Sequence, residues 1–393
     1  MLSVENKRTS FLPFHQPILG GAELNEIAQA LESGWLTRGP KTQAFEEMFA
    51  SYIGAPHAVG VNSATAGLHL ALAALDIGPG DEVITTPITY CATPNEIEHA
   101  GATPIFADVD PQTYLLDPDA VERAITPRTK ALMPVHLYGQ SADMDRLRNI
   151  ARKHGLAIVE DAAHAIETTW RDEKIGTIGD FTVFSFYPTK NITTGEGGML
   201  TTMRADLAER ARRLSLHGLS KEVWKRHGEA DTGAYRLLER GYKYHMFDLL
   251  AALGLAQLPN VDQWRSIRER LWNRYHERLA RIPGVRAIPH RMPGKHAYHL
   301  LAIELDPDTI GISRDETAAA LRESNIGTGI HYHAMHLQPY YAQRYALRPE
   351  DFPHATRASE RMLSLPLYPR MTEQDADDVT ASLHAAVIRA SRT

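Results

Sequence analysis

From residue 57 onward the chain alternates short apolar runs with longer amphipathic stretches. HAVGV (57–61) reads as a strand, Asn62-Ser63 as a turn and Ala64 to Leu75 as a helix. The rhythm then repeats. DEVITT predicts a strand and Tyr90 to Ala100 a helix; TPIFADV a strand and Asp117 to Ile125 a helix; KALMPVHLYG a strand and Asp143 to His154 a helix; GLAIVED a further strand. Phe181 to Phe186 is an apolar run that reads as a buried strand. It is followed by a proline, a single lysine (Lys190) and the polar turn GEGG. Strands alternating with helices predict an α/β fold: a mostly parallel sheet covered by helices on both faces.

The flanks follow other patterns. Residues 1 to 22 lack periodicity and read as an arm. Glu23 to Gly34 has helical spacing with a glycine stop, GWLTRGP (34–40) is a turn-rich loop, and 41–53 is helical again. Beyond Gly241 the alternation breaks. Asp262 to Ile282 predicts a long, charged helix. AYHLLAIEL (strand), Ser313 to Asn325 (helix), GTGIHYH (strand) and Thr372 to Ala390 (helix) predict a smaller α+β unit. Ser313 and Glu316 have capping-box spacing. These readings divide the chain into an arm with a large domain (1–255) and a small C-terminal domain (256–393).

Composition narrows the classes. The 393 residues are 43% hydrophobic and 23% charged, ordinary for a globular protein, and suit about two domains. A net charge of −6 argues against a general affinity for nucleic acid. Cys91 is the single cysteine, so no internal disulfide can form and a reducing compartment is expected. No stretch has the pattern of a signal peptide, and no apolar run reaches bilayer-spanning length. The expectation is a cytoplasmic protein without membrane contact.

Three chemistry-bearing features fall at C-terminal strand ends, where open parallel sheets bind ligands. Asn62-Ser63-Ala64-Thr65 joins a strand to a helix through small, hydroxylated residues, which suits a phosphate; plain N-capping by Ser63 would use the same residues. Glu160-Asp161-Ala162-Ala163-His164 ends GLAIV. A buried Asp161 could keep a pyridine nitrogen protonated and His164 could touch the ring, although a strand-end cap and a structural histidine are the plainer readings. Ser185 and Lys190 form the third. A lone lysine after a buried strand suits a Schiff base to pyridoxal 5′-phosphate (PLP), and the same amine can then shuttle protons. Phosphate cradle, aspartate and lysine, in that order, point together to PLP.

Other candidates carry less. Tyr90 could stack on the cofactor ring or simply pack in the core. His331, His333 and His336 form H-x-H-x-x-H. A metal is conceivable there, but no carboxylate or cysteine lies nearby, so contacts to a substrate phosphate or sugar are the better reading and no metal is assigned. GEGG lacks the spacing of a dinucleotide fingerprint.

The motifs GWLTRGP, NSATAGLHLAL, GDEVITTPITYCAT, EDAAHA, FSFYPTKNITTGEGG and AALGLAQL resemble the DegT/DnrJ/EryC1/StrS family of sugar aminotransferases, which have the type I PLP-dependent transferase fold. The likeness runs from about Trp35 to the C-terminal helix. GYKYHMFD, GISRD and GIGTGIHYHAMH are most similar to the branch that aminates UDP-4-keto-arabinose. The resemblance implies Lys190 as the covalent lysine, Asp161 on the pyridine nitrogen, His164 beside the ring and Tyr90 stacked on it. It implies Ser63, Ala64, Thr65 and Ser185 at the phosphate, and Trp35, Thr37, Tyr187, His331 and His333 toward substrate. It also implies a homodimer in which the GYKY loop, with Lys243, reaches the partner's site. Lys243 stands where most members have Asn, His245 where they have Arg or Asn, and His333 where the arabinose-type enzymes more often have Arg.

The expected activity is transfer of an amino group from an amino acid, glutamate by expectation, to a keto-sugar linked to a nucleotide, such as a 4-keto-sugar. Two alternatives are PLP-dependent dehydration of a sugar, whose enzymes typically lack the lysine, and a non-catalytic regulator or scaffold of the same fold.

Overall fold

The computed structural model describes residues 8–220 and 235–390. Residues 1–7 of the expected arm lie outside them. Strands β1 (His57–Val61), β2 (Glu82–Thr85), β3 (Thr103–Phe106), β4 (Thr129–Met133), β5 (Ala157–Asp161), a two-stranded hairpin β6 (Thr169–Trp170) and β7 (Glu173–Lys174), β8 (Phe181–Ser185) and β9 (Gly198–Thr202) follow in order. Seven of them form one sheet, ordered β1-β9-β8-β5-β4-β2-β3. The pairs from β3 across to β8 are parallel, while β9 is antiparallel to both neighbours, so β1 runs in the same direction as β8.

Helices cover both faces, as the alternation predicts. On one face lie α1 (Gly21–Glu32), α2 (Pro40–Ile53), α5 (Pro118–Ala124), α6 (Met144–His154) and α8 (Asp248–Gln257); on the other lie α3 (Ala64–Ala74), α4 (Ala92–His99) and α7 (Ala205–Leu214). Phe45 and Phe49 of α2 meet Phe184 and Phe186 at ring separations of 5.1–5.6 Å. Burying each such ring stabilises by roughly 2–3 kcal/mol. Helix α3 is buried over most of its length, and its Gly67 lets it press on β8: an added Cβ would lie 2.7 Å from Val183 Cγ1.

The C-terminal part is built on helix α9 (Val261–Leu279) and the antiparallel sheet β10 (Val285–Ala287), β11 (Leu301–Leu305) and β12 (Met362–Leu365). Helices at Arg314–Glu323 and Glu373–Ala390 complete it, sharing a core with Leu271, Tyr275, Ile303 and Leu383. The Ser313–Glu316 capping box forms as read. A further apolar cluster, with Ile88, Phe106, Leu137 and Tyr138 on one side and Leu300, Ala334 and Met335 on the other, joins the two parts.

Some readings need correction. GTGIHYH is not a strand: only Gly329 bridges to Ser364. The N-terminal arm takes the space a flat strand would need. Leu12 bridges Ile326, and a Cβ on Gly327 would lie 2.8 Å from Phe14 N. KALMPVHLYG stays a strand only to Met133, because Pro134 lacks an N–H and Tyr138 adopts a left-handed φ of 61°. Helix α4 begins at Ala92, leaving Tyr90 in the loop before it.

Candidate active site

β1, β5 and β8 end on the same side of the sheet, and β9 begins there. Its first residue, Gly198, pairs with Val61 on one side and Ser185 on the other. That single residue sets the start of α3 beside the end of β8, although they lie far apart in sequence. An added Cβ on Gly198 would sit 2.7 Å from Ala64 N and 2.8 Å from Phe184 O, so only glycine allows this approach. Ser63 caps α3, its Oγ accepting from Ala66 N at 3.1 Å. Capping uses an oxygen lone pair and leaves the hydroxyl proton free, so cap and phosphate contact are compatible roles. Ser63, Ala64 and Thr65 in the first turn, with half-buried Ser185 alongside, make a cradle suited to an anion.

Alternation along β5 separates its two adjacent carboxylates. Glu160 turns away from the site, where its carboxylate pairs with His136 Nε2 at 2.8 Å and accepts from Gly179 N and Thr182 Oγ1. Asp161 turns into the site. Its Oδ1 accepts from Ala163 N at 3.1 Å and its Oδ2 from Thr93 Oγ1 at 2.8 Å, and Thr89 bonds Thr93 in turn at 2.7 Å. The buried carboxylate is thus fixed in orientation, as one facing a protonated ring nitrogen must be.

Lys190 follows a tight turn, its N–H donating to Tyr187 O at 2.8 Å. The residue is half-buried, and desolvation of its amine lowers the pKa to about 8, with Asp161 opposing the shift. A lysine so placed is neutral and nucleophilic in about a tenth of molecules at pH 7, a fraction hundreds of times that of an unperturbed lysine. The next residue is anchored: Asn191 donates to Glu167 Oε2 at 2.7 Å and accepts from His299 Nδ1 at 2.8 Å.

His164 is buried, its ring 4.3 Å from that of His299. Tyr138 N–H donates to its Nδ1 at 3.3 Å, and its Nε2 lies 3.1 Å from Tyr332 Oη. Burial, then Lys190 and His331, hold its pKa well below the ordinary imidazole range. It is a neutral group.

The remaining expected residues are spread more widely. Tyr90 is 60% exposed and lies 6.0 Å from the Tyr332 ring, at the wall of a cavity of about 610 Å³ that His333 also lines. Tyr187 is exposed. His331 turns the other way, stacking on Phe14 at 5.2 Å with Nδ1 3.0 Å from Ser364 Oγ, and burial lowers its pKa to about 4. His336 is buried against Thr356. The three histidines therefore diverge, and no group of three potential metal ligands occurs among the described residues. Trp35 shapes its own turn: the indole N–H donates to Arg38 O at 2.8 Å and the ring covers Gly39. Thr37 Oγ1 lies 3.3 Å from His245 Nε2. Lys243 is exposed, on a segment that runs along the outer edge of β1, where Asn62 N donates to Tyr244 O.

Sequence reasoning missed Thr93, Asn191 and Tyr332. Asn191 adjoins the lysine and Tyr332 sat between two conspicuous histidines. Nothing in the chain signals that Thr93 meets Asp161.

The anion cradle, the oriented aspartate and the depressed lysine fit PLP, which when bound supplies an electron sink for the bonds at a substrate amine carbon. Ser63, Thr65 and Ser185 would hold its phosphate, Asp161 its ring nitrogen and Lys190 its aldehyde carbon. The freed Lys190 amine would then carry the proton.

Comparison with known proteins identifies the family. The profile of the DegT/DnrJ/EryC1/StrS aminotransferase family matches residues 17–384. The spore coat polysaccharide biosynthesis protein SpsC of Bacillus subtilis is 50% identical over 382 residues, covering 97% of this chain and 98% of SpsC. The candidate sugar aminotransferase Spr1654 of Streptococcus pneumoniae, solved in PLP and PMP forms, superposes with a TM-score of 0.89 at 31% identity, covering 97% of this chain and 99% of its own. DesI, solved with its TDP-sugar product, gives a TM-score of 0.86 at 34% identity, covering 97% of this chain and 94% of its own. The chain belongs to the DegT/DnrJ/EryC1/StrS aminotransferase family and is a PLP-dependent aminotransferase of type I fold.

Proposed function

We propose that the protein moves an amino group from an amino acid, glutamate in the first instance, to a nucleotide-linked 4-keto-sugar. The observation that carries this reading is the pairing of the Lys190–Asp161–Ser63 site with a cavity of about 610 Å³ at Tyr90 and Tyr332. Its size falls within the range of about 300–1,000 Å³ usual for small-molecule sites, and its tyrosines suit a sugar. The TDP-sugar product of DesI and the polysaccharide role named for SpsC support the same acceptor class. In this reading Lys190 is nucleophile and proton carrier, Asp161 and His164 tune the cofactor, and Tyr90 stacks on it.

The reading includes a homodimer with shared sites. Leu36 and Phe247 are exposed on either side of the Thr37–His245 contact, close to exposed Lys243. A second subunit covering that apolar patch would bring Lys243 toward the partner's phosphate. Sedimentation should give a dimer, and a stable, active monomer would refute that part.

The deciding experiment loads the enzyme with pyridoxamine phosphate and offers it a panel of keto-sugar nucleotides, UDP-4-keto-arabinose among them. Return of the visible PLP band with one of them, and its loss on adding glutamate, is the expected result. A panel that never restores the band would sink the assignment.

A further inference from the structure

Tyr332 lies between the cavity and His164. It lines the cavity, and its Oη is 3.1 Å from His164 Nε2. The direction of that bond follows from the other side of the imidazole. His164 Nδ1 accepts from the Tyr138 backbone N–H, which has no alternative role. A neutral ring whose Nδ1 accepts must carry its proton on Nε2. Nε2–H therefore donates to Tyr332 Oη, and the phenol's own proton remains unspent.

We infer that Tyr332 reads the acceptor: its hydroxyl donates to an oxygen of the sugar, carbonyl or hydroxyl, that occupies the cavity. This inference rests on the acceptor class proposed above and assigns a specificity role to a residue within it. Both members of the pair keep the protonation it needs. His164 is held neutral by burial, and burial with the nearby Asp161 charge raises the Tyr332 pKa well above the ordinary phenol value. The hydroxyl is thus a donor throughout the working pH range. The surroundings are matched to an uncharged ligand group. The carboxylate of Glu98 at the cavity wall is already engaged by Tyr340 Oη at 2.6 Å, Arg344 Nε at 2.8 Å and Tyr345 Oη. Asn95 Oδ1 likewise accepts from Tyr341 Oη at 2.6 Å. With those groups paired to one another, Tyr332 brings an unspent hydroxyl proton to a cavity it lines together with Tyr90, His333 and Gln338, at the point where that cavity meets His164.

The test uses the dimeric or monomeric holoenzyme as isolated. Tyr332→Phe keeps the ring and removes the donor. The acceptor kcat/KM should fall about tenfold, the scale of one lost neutral hydrogen bond, and the Kd of the aminated sugar nucleotide, measured by calorimetry, should rise by the same factor. In a panel of deoxygenated acceptors, one analogue should lose about tenfold in the wild type and nothing further in the variant. Retained cofactor absorbance and melting temperature establish that the variant is folded. Acceptor kcat/KM and product Kd both within about twofold of wild type would overturn the inference. So would an equal fall in the half-reaction with the amino donor, because Tyr332 would then serve His164 and not the acceptor. A wild-type enzyme inert toward every keto-sugar while still accepting the amine of glutamate would instead refute the acceptor class itself.

Discussion

Thr93 Oγ1 donates to Asp161 Oδ2 at 2.8 Å, so a residue of α4 orients the carboxylate at the end of β5. Hydrogen bonds to a charged group are worth about 1.5–3 kcal/mol. Thr93→Val should therefore raise the Kd for PLP by at least about tenfold with little change in fold, and Thr93→Ser should restore it. Fluorescence titration of cofactor-free protein would measure both.

The Lys190 amine supplies a pH dependence. Burial lowers its folded-state pKa to about 8, against ~10.4 for an unperturbed lysine. Between those values the unfolded chain binds more protons than the folded one, so this group makes the cofactor-free protein more stable as pH rises from about 8 to about 10.4. The rate of covalent PLP capture should climb with a midpoint near pH 8, read from growth of the visible band. Lys190→Ala should capture none, and its transamination should fall about 10²–10⁴-fold, the range for loss of a positioned acid/base.

Gly198→Ala places a Cβ 2.7 Å from Ala64 N. Either β9 or the start of α3 must move, at a cost of about 1–3 kcal/mol. The melting temperature should drop and PLP affinity should weaken together, whereas an alanine at Gly155, where no atom lies within 4 Å of the added Cβ, should leave PLP affinity unchanged.

Asp248 holds the GWLTRGP loop and α2 together. Its carboxylate accepts from Gly39 N at 2.7 Å, Lys41 N at 3.0 Å, Thr42 N at 2.9 Å and Thr42 Oγ1 at 2.6 Å. Asp248→Ala strands buried donors and removes a cap, so a loss of about 2–4 kcal/mol is expected in denaturant unfolding. Asp248→Asn should recover part of it.

Much of this was legible in the chain because periodicity and chemistry agreed. The alternation from His57 to Ser185 marks the parallel sheet, and Ser63, Asp161 and Lys190 stand out because each breaks an apolar pattern at a strand end. What escaped were contacts between segments distant in sequence. Strand β9 hid behind a glycine-rich turn, since a run beginning with Gly198 carries little strand signal. GTGIHYH alternates like a strand, but the arm at Leu12–Phe14 claims its backbone. Tyr90 follows TTPIT and reads as the start of a helix, yet it is mostly exposed, because α4 starts two residues later. The carboxylate pair Glu160-Asp161 could be sorted only by the pleat, which aims one at His136 and the other at Thr93.

The reversed strand β9 has a consequence for how such an enzyme can change. Gly198 is paired with Ser185 on one side and Val61 on the other, and the twelve-residue connection between Ser185 and Gly198 carries Lys190. A slip of β9 by one position would flip its buried side chains and bring Met199 or Gly197 against the start of α3. The end of β8, from which the Lys190 segment leaves, is therefore held against the anion cradle by sheet register. New acceptors must be accommodated in segments outside this register, such as the tyrosine-rich walls at 332–341, which can vary while the cofactor seat stays put.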